Sequence, residues 1–404
     1  LLPLMILFFW ALKPVPSSLL PLHLLAFFVT AMVCHGELAN TRPPTVHLTE
    51  FYLWLSVGGV LGGLFNALLA PMIFNSLAEY PLVIALACLL RPPPDPETQK
   101  PNARWLDFVI PLALAVILGG LVLLISKFGL GHAMRLDDST SPMGMMVIVF
   151  ISCFIGVILY LFSERPVRFG LSIAGVILAS FLWASGHNQV LYAERNFFGY
   201  MEVVFDPDGG YHLLNHGTTI HGAQSLNPAH RLQPLTYYHP AGPIGQVFAV
   251  FAQKPAINRV AVIGLGTGTL ACYAQPGQRW TFYEIDPTVA RIAHDPRYFT
   301  FLRDCPAKVE VILGDGRLSL ARAADHHFDL IALDVFSSDA IPVHFLTQEA
   351  LKLYLAKLAD EGILLFHISN KYLDLKPVLG DLAGKAGLAC FVRDDTGWDP
   401  DKEK

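Results

Sequence analysis

The sequence predicts a multi-span α-helical membrane domain followed by an α/β domain of the doubly wound type, with a small β-strand subdomain leading into the latter. Three observations carry this. The chain of 404 residues is 53% hydrophobic and only 15% charged, against about 25% charged residues in an ordinary soluble domain. The charge deficit is local, because nearly all the long apolar runs fall before residue 187. Beyond that point short β-branched runs alternate with helix-sized segments, and one of them, Val260 to Ile263, runs into Gly264-Leu265-Gly266-Thr267-Gly268. Alternation of this kind builds a parallel sheet covered by helices. The expected division is 1–186 for the membrane domain, 187–259 for the β-strand subdomain and 260–404 for the α/β domain.

In the first part, apolar runs lie at about 1–12, 18–35, 51–70, 71–90, 107–126, 144–162 and 167–185. A span needs about 20 apolar residues, so six or seven spans are expected. The fourth run carries Pro71, Asn75, Glu79 and Pro81, which suit a span, a re-entrant segment or an interfacial helix. Gly58, Gly59, Gly62 and Gly63 in the third run predict a close helix–helix contact in lipid. His23, Glu50, Asn66, Asn75 and Glu79 are the polar candidates for a transport path. They are better explained as span-end or mutually satisfied groups, and no internal repeat supports transport. The chain starts on Leu1 inside an apolar run without Met, which leads us to expect an upstream segment. Loop charges orient the spans only weakly, and they lean against a cytoplasmic second half. The net charge of −5, with no basic stripe, argues against a nucleic-acid partner. The six scattered cysteines form no C-x-x-C pair and read as reduced core residues.

In the linking part, Tyr200 to Phe205 and Tyr211 to Leu214 read as two strands around the turn Asp206-Pro207-Asp208-Gly209-Gly210. The polar run Asn215 to Gln224 holds more hydrogen-bonding groups than a connector needs. Gly242 to Phe251 reads as a helix. His216, His221 and His239 do not match any common zinc spacing, and no metal is expected.

In the last part the glycine spacing decides which nucleotide the turn suits. A dinucleotide fingerprint requires G-x-G-x-x-G, and Thr269 stands where its last glycine would be. The pattern is G-x-G-x-G, followed by strand Thr281 to Tyr283 ending on Glu284. A further strand, Val309 to Leu313, leads to Gly314-Asp315-Gly316, and Phe328 to Leu333 leads to Asp334. Helix Thr347 to Leu358, strand Gly362 to Ile368, helix Lys376 to Ala386 and strand Leu388 to Val392 complete the alternation. Ligands of open α/β sheets bind at the carboxyl ends of strands. Glu284 is placed to bind ribose hydroxyls and Asp315 the adenine amino group. Three strand-end acids after G-x-G-x-G therefore read as a Rossmann domain of the S-adenosylmethionine (SAM) type.

With these motifs the chain resembles the polyamine aminopropyltransferases, the spermidine synthase family, over about 195–393, and in particular the bacterial membrane proteins in which such a domain is fused to spans. The run from Leu48 to Pro71 is similar to that of the membrane group. The resemblance implies a nucleoside contact from Gln224, a Tyr-His step at Tyr238-His239, a ribose acid at Glu284, an adenine-side acid at Asp315 with Gly316, and a catalytic acid at Asp334. Gly264, Gly266, Gly268 and His239 would complete the cofactor side, with Tyr238 and His216 toward the substrate. Three positions depart from the family pattern. His216-Gly217 replaces Asp-Gly, Pro240 replaces a Glu, and Ser337 replaces a second Asp, leaving Asp339 as the next acid.

The implied substrate is SAM or decarboxylated SAM, whose C–S bond is cleaved to release methylthioadenosine, either to an amine such as a polyamine or by cyclisation or elimination. A SAM-dependent methyltransferase acting on a hydrophobic acceptor, and a transporter or sensor with a non-catalytic Rossmann half, stay open. The implied setting is the bacterial inner membrane, multi-pass, with the catalytic domain cytoplasmic because SAM is a cytosolic metabolite, and with homo-oligomers allowed.

Overall fold

The computed structural model describes residues 20–91, 104–128, 142–187, 189–207, 209–217, 219–252, 258–336, 341–370 and 373–395. The chain divides into two compact units, Leu1–Gln189 and Val190–Lys404.

The first unit is helical. Its helices are α1 (Leu20–Asn40), α2 (Leu48–Leu64), α3 (Glu79–Leu89), α4 (Leu106–Lys127), α5 (Pro142–Leu161) and α6 (Pro166–His187). Helix α2 continues through a π-helical turn, Phe65–Leu69, into Ala70–Ile73. Pro71 has no N–H to donate within the helix, and a wide turn ahead of it relieves that defect. Asn66 Nδ2 donates to the Gly62 carbonyl at 3.1 Å beside this turn. Among the described residues three helices, Leu20–Asn40, Thr45–Ile73 and Leu106–Ile125, are long and apolar enough to cross a membrane. The fourth apolar run gives only the 11-residue α3, because the chain leaves the helix after Ile73 and resumes it at Glu79. The first run lies outside the described residues.

Helix α6 packs on α3 and α4 around Ile84, Cys88, Leu118, Val122, Ile173 and Val176. The close-packed glycines are not those the sequence singled out. A Cβ at Gly170 would lie 2.6 Å from Leu89, and one at Gly175 2.9 Å from Ala115, whereas Gly58, Gly59, Gly62 and Gly63 have nothing within 4 Å. Asp107 ties the start of α4 to Arg165 and Arg168, at 3.2 and 2.8 Å.

The second unit opens with a four-stranded sheet in the order β1-β2-β3-β4. Its strands are Gln189–Asn196, Gly199–Asp206, Tyr211–His216 and Thr219–Ser225. The polar run after β3 is thus largely a strand of its own. It pairs antiparallel to β3 with a bulge at Leu214/Asn215, and hydrogen-bonding side chains alternating along it hid the strand from a hydrophobic reading. Helix α7 (Pro243–Phe251) then leads to a five-stranded sheet ordered β7-β6-β5-β8-β9. Its strands are β5 (Arg259–Ile263), β6 (Arg279–Glu284), β7 (Lys308–Leu313), β8 (Phe328–Leu333) and β9 (Leu358–Phe366). All four pairings are parallel. The crossovers include α8 (Pro287–His294), α9 (Gly316–Ala321) and α10 (Gln348–Lys357), and α11 (Lys376–Lys385) follows β9.

Both faces of this sheet are covered. Val260 and Val262 pack with Trp280, Phe282 and Leu330 on one side. Ala261 and Ile263 pack with Tyr283, Ile331, Leu333 and Tyr354 on the other. Burial on both faces is what a β-branched run without alternation encodes. The last strand expected, Leu388 to Val392, does not form, and residues 388–395 have no regular structure. Phe391 and Val392 are exposed, so no apolar burial holds that segment on the sheet. The strands end level: Ile263 pairs with Tyr283 and Leu333, Glu284 with Leu313, and Leu333 with Phe366. This register brings the residues following five strands to one edge.

Candidate active site

At that edge lies a cavity of about 130 Å³, lined among others by Gly264, Gly266, Glu284, Asp286, Asp315, Gly316 and Asp334. The β-subdomain contributes His216 and His221, and the 3₁₀ turn Thr236–Tyr238 contributes Tyr237 and Tyr238. Thr236 holds a positive φ of 59°, a conformation uncommon for a residue with a Cβ.

Gly264 is the residue that lets the strand ends close up. It adopts φ +99°, and a Cβ there would stand 2.1 Å from the Asp334 carbonyl. Gly316 sits as tightly, since a Cβ would meet Ile263 at 2.3 Å. Glu284 is held by the backbone: Leu265 N–H donates to Oε2 at 3.0 Å and Asp286 N–H to Oε1 at 2.8 Å. Burial pushes its carboxyl up to about 7, against those hydrogen bonds, and the nearby Asp286 adds to the rise. Asp315 caps α9, accepting from Leu318 N–H at 2.8 Å, and its other oxygen lies 3.4 Å from His344 Nε2.

Asp334 is held differently. Tyr238 donates its hydroxyl to Oδ2, and His367 Nδ1 lies 2.9 Å from Oδ1. Tyr237 in turn donates to the Tyr238 hydroxyl at 3.0 Å. Burial works to raise the Asp334 carboxyl, but His367, through its charge interaction and hydrogen bond, and the Tyr238 hydroxyl together hold it below the usual carboxylate range. Burial and the Asp334 charge push both tyrosines well above their ordinary value. The site therefore presents an ionised carboxylate between neutral phenols.

The other residues named from sequence divide between the cavity and its surroundings. Gln224 is buried and spends its amide on structure: Thr300 N–H donates to Oε1 at 2.9 Å, and Nε2 donates to Thr300 Oγ1 and the Arg231 carbonyl at 3.0 and 3.1 Å. It is not among the residues lining the cavity, and neither are His239 and Gly268. His239 Nδ1 accepts from Ala241 N–H at 3.2 Å. Gly268, at φ +83°, precedes the 3₁₀ turn Thr269–Tyr273. His216 does line the cavity; its Nε2 lies 3.0 Å from the Phe198 carbonyl, and burial lowers its pKa. Asp339 lies outside the described residues. Among the described residues no group of His, Cys, Asp or Glu suits a metal ion.

Sequence reasoning did not single out Asp286, Tyr237, His344 or His367. Asp286 caps α8 through Thr288 N–H at 2.8 Å and accepts from Asn196 Nδ2 at 2.7 Å, while its buried Oδ2 has no hydrogen-bond partner. His367 directly follows β9, and its place at a strand end was the signal available.

No family model matches the chain. A curated relative, the polyamine aminopropyltransferase of Vibrio vulnificus, is 35% identical over 120 residues, which is 28% of this chain and 38% of that protein. The chain thus spans well under half the length of that relative. Among solved structures, spermidine synthase from Thermotoga maritima is 17% identical, with 49% of this chain and 64% of that one covered and a TM-score of 0.38. A probable spermidine synthase from Corynebacterium glutamicum is 22% identical, covering 49% and 70% at a TM-score of 0.40. The second unit is an α/β protein of the doubly wound class, with its strand-end acids on one cavity. Within that class, the matched 120 residues are similar to a polyamine aminopropyltransferase, which makes this stretch spermidine synthase-like.

Proposed function

We propose that this chain is a membrane-bound, spermidine synthase-like transferase that binds SAM or decarboxylated SAM and cleaves its C–S bond, releasing methylthioadenosine. The observation that carries the reading is the order of acids along one sheet edge. Asp315 follows β7, Glu284 ends β6, the glycine turn follows β5 and Asp334 follows β8. Neighbouring strands lie about 4.8 Å apart, so adenine at Asp315 and ribose at Glu284 bring the sulfonium toward Asp334. There the C–S electron pair leaves with sulfur, which becomes a neutral thioether, and the carbon takes its new bond from an amine nitrogen or from the substrate's own nucleophile. Positioning supplies most of the acceleration. Asp334, ionised and fixed, accepts the proton of an attacking amine. A polyamine acceptor suits this carboxylate by charge.

The three long apolar helices support a place in the bacterial inner membrane. The catalytic unit would be cytoplasmic, where SAM is made, and association of copies is compatible with this setting. The test is to incubate the full chain in detergent with SAM or decarboxylated SAM, with and without putrescine, and identify the nucleoside product by mass spectrometry. Methylthioadenosine is expected. Its absence under every condition overturns the reading, and S-adenosylhomocysteine in its place indicates methyl transfer.

A further inference from the structure

We propose that His367 is a positioning residue that fixes the Asp334 carboxylate against the sulfonium of a bound nucleoside, an inference that rests on the nucleotide-site reading above. The histidine has no freedom to be elsewhere. Leu333 of β8 pairs with Phe366 of β9, and His367 N–H extends the ladder by donating to the Leu333 carbonyl at 2.9 Å. Its ring is flanked by Tyr237, with centroids 4.5 Å apart, and by Phe336, at 5.1 Å. So held, Nδ1 meets Asp334 Oδ1 at 2.9 Å.

An ionised carboxylate only accepts hydrogen bonds, so the Nδ1 proton must point at Asp334. Tyr238 occupies the other oxygen. With one donor on each oxygen, the carboxyl plane is set and the charged form is stabilised. His367 is not itself among the cavity-lining residues, whereas Asp334, Tyr237, Tyr238 and Phe336 are. It therefore acts through the carboxylate and not on the ligand. The chemical class it serves is a nucleoside carrying a positive charge at its 5′ substituent, in preference to the neutral thioether left after reaction. A carboxylate locked in place discriminates between the two, while one free to rotate into other hydrogen bonds does so less.

The test compares binding of SAM and S-adenosylhomocysteine, which differ by the sulfonium methyl and its charge, using calorimetry on the full chain in detergent. Wild-type protein should favour SAM by roughly tenfold, the order expected of one charge pair in a partly screened site. His367→Phe keeps a ring between Tyr237 and Phe336 but has no donor. It should bring the ratio close to one while S-adenosylhomocysteine affinity changes less than about twofold. His367→Asn, with a donor near the Nδ1 position, should recover much of the preference. If the Phe variant does not fold, His367→Gln, whose donor is displaced along a longer side chain, takes its place with the same expected loss.

Equal loss of both affinities in these variants would mean a merely structural histidine and overturn the proposal. So would a wild-type protein without preference for the cation. Wild-type protein that binds neither nucleoside overturns the nucleotide site and this inference together. If the cation preference holds and His367→Phe removes it, but no methylthioadenosine is ever released, the His367 assignment stands and C–S cleavage falls.

Discussion

Glu284 and Asp334 are both carboxylates at strand ends of one sheet, yet they are held by different means. Both oxygens of Glu284 accept from backbone N–H groups, those of Leu265 and Asp286. Both oxygens of Asp334 are met by side chains, the Tyr238 hydroxyl and the His367 ring. Their titration differs accordingly. Burial outweighs the backbone bonds at Glu284 and lifts it to about 7, whereas the partners of Asp334 overcome its burial and hold it low. Backbone donors come with the turn and serve any strand-end acid. Side-chain donors have to be brought from distant parts of the chain, here from a 3₁₀ turn before the sheet and from its last strand. On the proposed function, the end held by backbone donors is the nucleoside's and the end held by side chains is the reacting one.

The sharpest way to break this contrast is Asp334→Asn. It should reduce methylthioadenosine release by roughly 10²- to 10⁴-fold, the range of a lost general base, while calorimetry finds methylthioadenosine binding nearly unchanged. A parallel loss of binding would mean that the two ends do not divide the work. Next in size is Gly264→Ala. With a backbone carbonyl 2.1 Å from the new Cβ and φ at +99°, it should cost at least about 3 kcal/mol, read as a lowered thermal midpoint. It should disturb both ends at once.

Glu284→Gln should weaken nucleoside binding by roughly tenfold, as expected when a hydrogen bond to a charged group is lost. The Gln amide nitrogen cannot accept from a backbone N–H, so one of the two donors is left unpaired and the ligand-free variant should be less stable than wild type at pH 5. A folded-state value raised to about 7 from 4.5 means that the stability contribution of Glu284 is full below about 4.5 and is lost as pH rises through 7. The difference in thermal midpoint between wild type and variant should therefore shrink as pH rises from 5 to 8. Nucleoside affinity of the wild type should rise over the same window as the acid ionises, and the Gln variant should not follow it. The smallest effect is expected of Asp315→Asn. Asparagine caps a helix as well as aspartate does, so stability should move by no more than about 0.5 kcal/mol, with only a modest loss of nucleoside affinity.

The legible part of the site follows the same division. Gly264, Gly266, Glu284, Asp315 and Asp334 could be read because each belongs to a short local pattern of strand, turn and acid, and the strand register then places them on one edge. Gln224 was assigned by resemblance alone. Its amide pairs with Thr300 and Arg231, partners that no local pattern reveals. Likewise the small-residue stripe of α2 suggested a packed face, whereas Gly170 and Gly175 make the close contacts within the helical unit. Strand β4 was missed because its polar side chains gave no alternating apolar signal, and a strand at Leu388 to Val392 was expected where the apolar side chains stay exposed.

By itself the sequence determined the two-part organisation, the doubly wound sheet and the line of acids along its edge, because hydrophobic runs, glycine turns and strand-end residues act over a few positions. Only the tertiary structure decided what surrounds Asp334. Tyr238 is 96 residues before it and His367 is 33 after it. Such partners meet through parallel register and crossover packing, which no short stretch of chain encodes.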